Sequence, residues 1–176
     1  MARNIEIKAR IDSIEALLPS ARALADGEAE LIEQDDQFFK VPHGRLKLRR
    51  FADGSAELIH YHRSDSTEAR GSDYVRVPVP DPAALALALD RATGPAGRVC
   101  KQRWLLLVGP TRIHLDRVQG LGDFMELEVV LRDGQGDAEG QAIAEALMQA
   151  LGLAQAERLG GSYLDSLQQY TLGPPR

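Results

Sequence analysis

The sequence predicts an α+β protein in which a closed antiparallel β-barrel has helices packed on its outside. Segments that alternate polar and apolar residues dominate the chain, and three or four amphipathic helices interrupt them. The charged residues of the strands are segregated by sign, and each charged strand keeps a hydrophobic face that a helix could cover. A sheet that is charged inside and covered by helices outside satisfies both requirements.

Length and composition indicate one globular domain spanning residues 1–176. The chain is 44% hydrophobic and 27% charged, which suffices for a core of ordinary size. Its longest apolar run, Ala83 to Leu89, is far shorter than a membrane span, and its first residues lack the apolar segment of a secretory signal. The single cysteine, Cys100, excludes an internal disulfide. We therefore expect a cytoplasmic protein with no membrane association.

The charge balance argues against a general nucleic-acid binder. Lysine and arginine number 21 against 26 aspartate and glutamate, which gives a net charge of -5. Any anion that the protein binds must therefore be held by local clusters of basic residues.

Alternation predicts strands in several places along the chain. The first runs from Asn4 to Ile11, and a later pair, Arg45 to Arg50 and Ala56 to Arg63, is joined by a turn at Asp53-Gly54. The charged stretch from Ser64 to Ser72 is expected to be a mobile loop. The remaining predicted strands are Asp73 to Val79, Val99 to Val108, Thr111 to Val118, and Phe124 to Leu131.

Four helices are expected between and after these strands. The first extends from about Ser13 to Ala25, with Pro19 expected to kink or divide it. The second begins at Asp81-Pro82, because aspartate caps a helix and proline suits its first position. The third begins at Asp137, and a short fourth helix spans Ser162 to Tyr170.

Like charges share one face on several strands. Such neighbours sit about 7 Å apart, where their repulsion is about 0.6 kcal/mol in water but about 2.4 kcal/mol at an effective dielectric near 20. Enclosed basic strands would therefore need an anion, and an enclosed acidic pair would need a cation. The same-sign groups are Arg45, Lys47 and Arg49; Lys101 and Arg103; and Glu126 and Glu128.

The acidic residues are suited to a hard divalent cation. Glu6, Glu126 and Glu128 offer only oxygen ligands, which Mg²⁺ and Mn²⁺ prefer, and both cations bridge phosphate oxygens. Together with the basic strands, this pattern predicts a metal-bound phosphate chain inside a barrel.

The sequence also resembles a known family. The segment Asn4-Ile5-Glu6-Ile7-Lys8 is similar to the E-x-E-x-K signature of the CYTH superfamily, the triphosphate tunnel metalloenzymes, and the run from Arg112 to Glu128 most resembles its class IV adenylyl cyclase branch. Asn4 departs from the signature, which has an acid there, so a second metal would be weak or absent. Further matching segments follow in the family's order: 44–49, 101–103, 112–116, 122–128 and 162–165.

The resemblance implies an eight-stranded triphosphate tunnel and roles for particular residues. Glu6, Lys8 and Asp116 would be catalytic. The implied metal ligands are Glu6, Asp116, Glu126 and Glu128. The implied triphosphate contacts are Lys8, Arg10, Arg45, Lys47, Arg49, Lys101, Arg103 and Arg112.

The resemblance further implies an enzyme that depends on Mg²⁺ or Mn²⁺ and converts ATP to cyclic AMP and pyrophosphate. One alternative is a triphosphatase that hydrolyses inorganic triphosphate or thiamine triphosphate, and another is a weakly catalytic polyphosphate- or nucleotide-binding module. The expected partner is a small-molecule triphosphate, with no nucleic acid and with a homodimer possible. A third alternative, an RNA-binding barrel using residues 45–50, is disfavoured by the acidic pair Glu126 and Glu128.

Three histidines leave alternatives open. His60 and His62 are two residues apart and could share a face as zinc ligands, although no cysteine with suitable spacing completes a zinc site. His114 could act as a general base, but a structural hydrogen bond is the preferred interpretation, because phosphoryl transfer depends mainly on positioning and charge neutralisation.

Overall fold

An eight-stranded antiparallel sheet forms the centre of the structure, a computed structural model that describes residues 3–62 and 73–172. The strands are β1 (Arg3–Arg10), β2 (Glu30–Phe39), β3 (Arg45–Phe51), β4 (Ala56–His62), β5 (Asp73–Pro78), β6 (Pro95–Val108), β7 (Thr111–Val118) and β8 (Gly122–Leu131). The helices are α1 (Ile14–Leu24), α2 (Pro82–Ala92), α3 (Asp137–Ala150) and α4 (Tyr163–Leu172).

The strands follow the order β1-β8-β7-β6-β2-β3-β4-β5, and every neighbouring pair is antiparallel. The sheet is strongly curled, because Glu6 of edge strand β1 and Arg76 of edge strand β5 line the same cavity. The predicted α+β class and the eight antiparallel strands are confirmed. Closure of the barrel is not confirmed, because no ladder joins β1 to β5 within the described ranges.

Strand β2 was not anticipated by the sequence interpretation, yet it pairs with both β3 and β6 in the middle of the sheet. The predicted hairpin between β3 and β4 is present, with Gly54 at a positive φ of 86° and the Phe51 amide donating to the Ser55 carbonyl at 3.0 Å. The predicted loop from Ser64 to Ser72 lies outside the described residues.

The helices begin at the predicted caps. Ser13 accepts a hydrogen bond from the Ala16 amide, and Asp81 accepts one from the Ala84 amide. Helix α1 runs without interruption through Pro19, so Pro19 does not divide the helix, and the expected kink stays a prediction. Because Pro19 lies on the exposed side of a helix whose other face is buried against the sheet, packing maintains the helix despite the lost hydrogen bond.

The main hydrophobic core lies between the outer face of the sheet and helices α1 and α3. Alternate residues of β1, β7 and β8 point outward into it, including Ile7, Leu115 and Leu127, and Met148 of α3 contacts them from the helix layer. Gly140 permits close approach of α3, because a Cβ there would lie 2.5 Å from Leu131 and 2.7 Å from Ile5. The opposite residues of the same strands therefore face inward.

In the described part of the chain, no helix combines the length and apolar character that crossing a bilayer requires.

Candidate active site

The inner face of the sheet surrounds a polar cavity of about 190 Å³, which we call the lumen. Side chains from all eight strands and from the start of α4 contribute to its wall. Eight residues predicted from the sequence come together on this wall: Glu6, Lys8, Lys47, Arg49, Lys101, Arg103, Glu126 and Glu128. The other four predicted residues do not line it: Arg10, Arg45, Arg112 and Asp116.

Asp36 of β2 binds both lumen cations of β3. Its carboxylate accepts from Lys47 Nζ at 2.7 Å and from two nitrogens of Arg49 at 2.7 Å each. Burial opposes ionisation of Asp36, but the nearby charges of Lys47 and Arg49 outweigh that effect and lower the pKa of its carboxyl. Burial lowers the pKa of the Lys47 ammonium to about 7, although Asp36 favours its charged form.

Asp116 of β7 has the same relation to the two lumen cations of β6. It is fully buried, accepts from two nitrogens of Arg103 at 2.7 and 2.6 Å, and accepts from Lys101 Nζ at 3.2 Å. The Tyr163 hydroxyl donates to it at 3.0 Å. Burial opposes its ionisation, but the charges of Lys101 and Arg103 lower the pKa of its carboxyl. Asp116 therefore lies behind the basic wall as a counterion.

Glu6 of β1 and Glu126 of β8, on neighbouring strands, form a carboxyl pair on the lumen wall. A hydrogen bond between the two side chains lowers the pKa of Glu126 against the effect of burial, and the charge of Arg103 acts in the same direction. Arg103 approaches Glu126 at 3.3 Å. Two carboxyl groups this close share either a proton or a cation.

Glu128 is held by two neighbours. Asn4 Nδ2 donates to one carboxylate oxygen at 2.8 Å, and Arg112 donates to the other at 3.2 Å. The Arg112 side chain is 44% exposed and does not line the lumen itself. Asn4, which replaces an acid of the family signature, thus acts as a donor to the next acidic residue.

The carboxylates of the site suit a hard divalent cation that takes only some of its ligands from the protein. Within residues 3–62 and 73–172, no group of three or more histidine, cysteine, aspartate or glutamate side chains is gathered closely enough to hold a metal ion. The adjacent carboxyls of Glu6 and Glu126 nevertheless match the usual mode of Mg²⁺, which takes one or two carboxylates and completes its shell with water and substrate phosphates. Asp116 and Glu128, also predicted as ligands, have basic or amide partners.

His114 lines the lumen directly opposite Glu126 in the β7–β8 register. Burial, reinforced by the charge of Arg103, lowers the pKa of its imidazole to about 3, so the ring is neutral at physiological pH. Its buried Nδ1 has no hydrogen-bond partner among the described residues, so the expected structural hydrogen bond is not found at that atom.

His60 and His62 lie on the other face of β4. Their rings meet edge to face with centroids 5.2 Å apart, and His60 Nε2 lies 3.0 Å from the His43 carbonyl oxygen. No third metal-binding side chain among the described residues joins them, so the zinc alternative gains no support.

The start of α4 closes one side of the lumen. Lys8 Nζ donates to the Gly161 carbonyl at 2.5 Å and lies 4.7 Å from the centroid of the Tyr163 ring. Arg45 binds Ser162 and, at 2.8 Å, Asp165. The predicted triphosphate contact Arg45 is therefore engaged with the segment that precedes and opens α4.

Arg10, at the end of β1, donates to the Leu121 carbonyl at 2.7 Å and stacks at 4.7 Å from the Phe124 ring centroid. It lies outside the lumen wall. Arg10 therefore stabilises the β1–β8 end of the sheet in the structure.

Sequence reasoning missed three contributors to the site. Asp36 belongs to the strand that was not anticipated, and its signal was the acidic pair at positions 35–36 beside a basic strand. Arg76 lies on the predicted strand β5, where its alternation with Val75 and Val77 could have marked it as inward-facing. Tyr163, at the start of α4, donates a hydrogen bond to Asp116 and also lines the lumen.

Comparisons with known proteins agree with this architecture. The family model for the CYTH domain matches residues 2–163. The chain belongs to the CYTH domain family. No curated protein matches the chain by sequence.

Solved structures share the fold. The PH1012 protein from Pyrococcus horikoshii superposes with a TM-score of 0.81 at 23% identity, covering 92% of this chain and 98% of that one. A proposed adenylate cyclase from Vibrio parahaemolyticus gives 0.76 at 22% identity, covering 95% and 98%. The proposed adenylyl cyclase HpAC1 from Hippeastrum, described as having a dominant triphosphatase activity, gives 0.71 at 16% identity, covering 96% and 95%.

Proposed function

We propose that this protein is a divalent-metal-dependent enzyme that acts on a triphosphate bound in the lumen. One observation carries the proposal: four cations on β3 and β6, the two strands that flank β2, face one cavity, and a carboxyl pair lines the same cavity. Membership of the CYTH family and the names of its structural neighbours, cyclase and triphosphatase, support the same class of substrate. The four cations are Lys47, Arg49, Lys101 and Arg103.

The basic residues would bind phosphate by exchanging partners. Asp36 and Asp116 hold the four cations in fixed positions on the lumen wall. A phosphate chain entering beside them accepts the remaining N–H groups, and arginine suits this role because its planar fork binds phosphate oxygens in pairs. Asp36 and Asp116 act as positioning residues in this proposal.

Glu6 and Glu126 would hold the divalent cation, with Glu128 as a further ligand if its amide and guanidinium partners move away. A bound Mg²⁺ or Mn²⁺ would neutralise charge that develops on the transferred and leaving phosphates. Arg103, which touches both Asp116 and Glu126, connects the basic wall to the carboxyl pair. The residues on both walls would therefore hold the chain straight and stabilise the charge of the transition state.

The nucleophile defines the reaction. In the first candidate, the ribose 3′-hydroxyl of ATP attacks the α-phosphorus, its proton is lost to solvent or a base, and pyrophosphate leaves as cyclic AMP forms. In the second, water attacks the terminal phosphorus and releases orthophosphate. The dominant triphosphatase activity described for the Hippeastrum neighbour is the reason for keeping the second candidate.

Product analysis tests the proposal. The protein is incubated with ATP, thiamine triphosphate or inorganic triphosphate, with and without Mn²⁺. Cyclic AMP with pyrophosphate indicates a cyclase and orthophosphate indicates a triphosphatase, whereas no turnover of any of them contradicts an enzymatic role. Lys47→Ala should abolish most turnover, and the matched control Arg98→Ala, an outward-facing basic residue paired with Asp35, should retain it.

A further inference from the structure

One end of the lumen differs in chemistry from the rest. Tyr61 of β4 and Tyr74 of β5 lie directly opposite each other in the β4–β5 register, and both line the cavity. Phe38 of β2 lines the same end, and Lys47 Nζ lies 5.6 Å from the ring centroids of both Phe38 and Tyr61. An aromatic rim therefore adjoins the first cation of the basic wall.

Within this rim, Tyr74 is the accessible ring. Phe38 is 5% exposed and packs in a core cluster with Tyr163 and Leu164, with Tyr61 half-buried against them, whereas Tyr74 is 51% exposed while lining the lumen. The guanidinium of Arg76 lies 5.1 Å from the Tyr74 ring centroid, so a flat aromatic surface and a cation are presented together.

Spacing places this pair within reach of a phosphate chain on the basic wall. Arg76 is opposite Ile59, and Ile59 is opposite Lys47 in the neighbouring ladder, so the three residues occupy one row across β5, β4 and β3. Tyr74 is two residues along from Arg76 on the same face, which is about 7 Å. A planar group that stacks on Tyr74 would thus be attached to the end of a phosphate chain that passes Lys47.

We propose that the Tyr74–Arg76 pair binds a planar aromatic group esterified to the triphosphate, so that the preferred substrate is a nucleoside or similar heterocyclic triphosphate and not the inorganic chain. This inference rests on the proposed function, because the pair selects among triphosphates that the basic wall holds. A heterocycle stacks on the exposed tyrosine face, and the guanidinium contacts either its edge or the first phosphate.

Binding measurements separate the two ends of such a substrate. Calorimetry with ATP, thiamine triphosphate and inorganic triphosphate, each with and without Mn²⁺, is performed on the wild type and on Tyr74→Ala. Loss of one stacked ring should weaken ATP binding by about tenfold or more, with inorganic triphosphate changed less than twofold. Tyr74→Phe, which keeps the ring, should restore ATP binding, and a selective loss for thiamine triphosphate alone would identify that heterocycle as the occupant.

Val75→Ala is the matched control, since Val75 lies on the same edge strand, is 61% exposed and does not line the lumen. Equal losses for ATP and inorganic triphosphate in Tyr74→Ala, or no loss for any ring-bearing ligand, would overturn the inference and leave the proposed function intact. Failure of every triphosphate to bind the wild type with or without Mn²⁺ would overturn both.

Discussion

Asn4 donates a hydrogen bond from its side-chain amide to Glu128 across the β1–β8 ladder, with 2.8 Å between nitrogen and oxygen. Glu128 also accepts from Arg112, so its charge is compensated from two sides without a metal ion. Asn4, where this chain departs from the E-x-E-x-K signature, therefore takes part in neutralising Glu128 by donating a hydrogen bond to it.

Replacing Asn4 with aspartate should reverse this relationship. Asn4→Asp has nearly the same shape but turns the donor into a second negative charge beside Glu128, which should lower the free energy of unfolding by about 1–3 kcal/mol in EDTA. Mn²⁺ should recover most of the loss, because the new carboxylate can share a cation with Glu128. Urea unfolding with EDTA and with Mn²⁺ measures both effects, and equal stability of variant and wild type in EDTA would show that the hydrogen bond contributes little.

The two glutamates of β8 should differ in their contribution to metal binding. Glu126→Gln removes a carboxylate of the Glu6–Glu126 pair and should weaken Mn²⁺ binding by at least about tenfold, within the range of a lost charged partner. Glu128→Gln should have a smaller effect, because Glu128 is engaged by Asn4 and Arg112. Electron paramagnetic resonance of free Mn²⁺ gives both affinities, and the reverse order would make Glu128 the principal ligand.

Removal of Asp36 should leave two buried cations uncompensated. Asp36→Asn should destabilise the protein by about 3–5 kcal/mol, the cost of breaking a buried ion pair. Inorganic triphosphate should restore part of this stability, since it supplies negative charge to Lys47 and Arg49.

Asp35→Asn is the control for this effect. Asp35 is the next residue on β2, faces outward and pairs with Arg98, whose side chain is 63% exposed, so its loss should cost under about 1 kcal/mol. Thermal unfolding of both variants with and without triphosphate distinguishes them. A similar small loss in both would mean that the Asp36 cluster does not stabilise the fold.

Triphosphate binding should weaken as pH rises above neutrality. Burial lowers the pKa of Lys47 to about 7 in the free protein, so its charge is lost above that pH, while the bound anion favours the protonated form. Binding is therefore linked to proton uptake, and affinity should fall by up to about tenfold per pH unit between about pH 7.5 and 9.

Lys47→Arg should flatten this pH profile, because an arginine stays charged throughout the range. Calorimetry in two buffers of different ionisation enthalpy would detect the proton uptake directly. A wild-type profile that is flat from pH 7.5 to 9 would contradict the assignment to Lys47.

Regular alternation made most of the fold predictable. Seven of the eight strands and all four helices were expected, because the apolar residues on the packed face of each element recur at a regular spacing. Strand β2 was missed because its buried residues include the polar Gln34 and Asp36, so the alternation of apolar residues is broken.

The sequence predicted which residues form the site better than it predicted which of them form ion pairs. Eight predicted residues share the lumen because they alternate on strands whose other face is apolar. Asp116 could not be distinguished from the other acids in the sequence, since its place behind Arg103 depends on the β6–β7 register. Closure of the barrel is likewise a relation between distant strands that no local pattern encodes.

The internal ion pairs also set the electrical character of the lumen. Five carboxylates stand against six basic side chains in the described wall and directly behind it, so opposite charges largely cancel before anything binds. Such an interior creates only a weak electrostatic field in the surrounding water, so long-range attraction contributes little to association of the ligand. Salt concentration should consequently affect ligand association far less here than on an open basic surface, and selection takes place at contact distance.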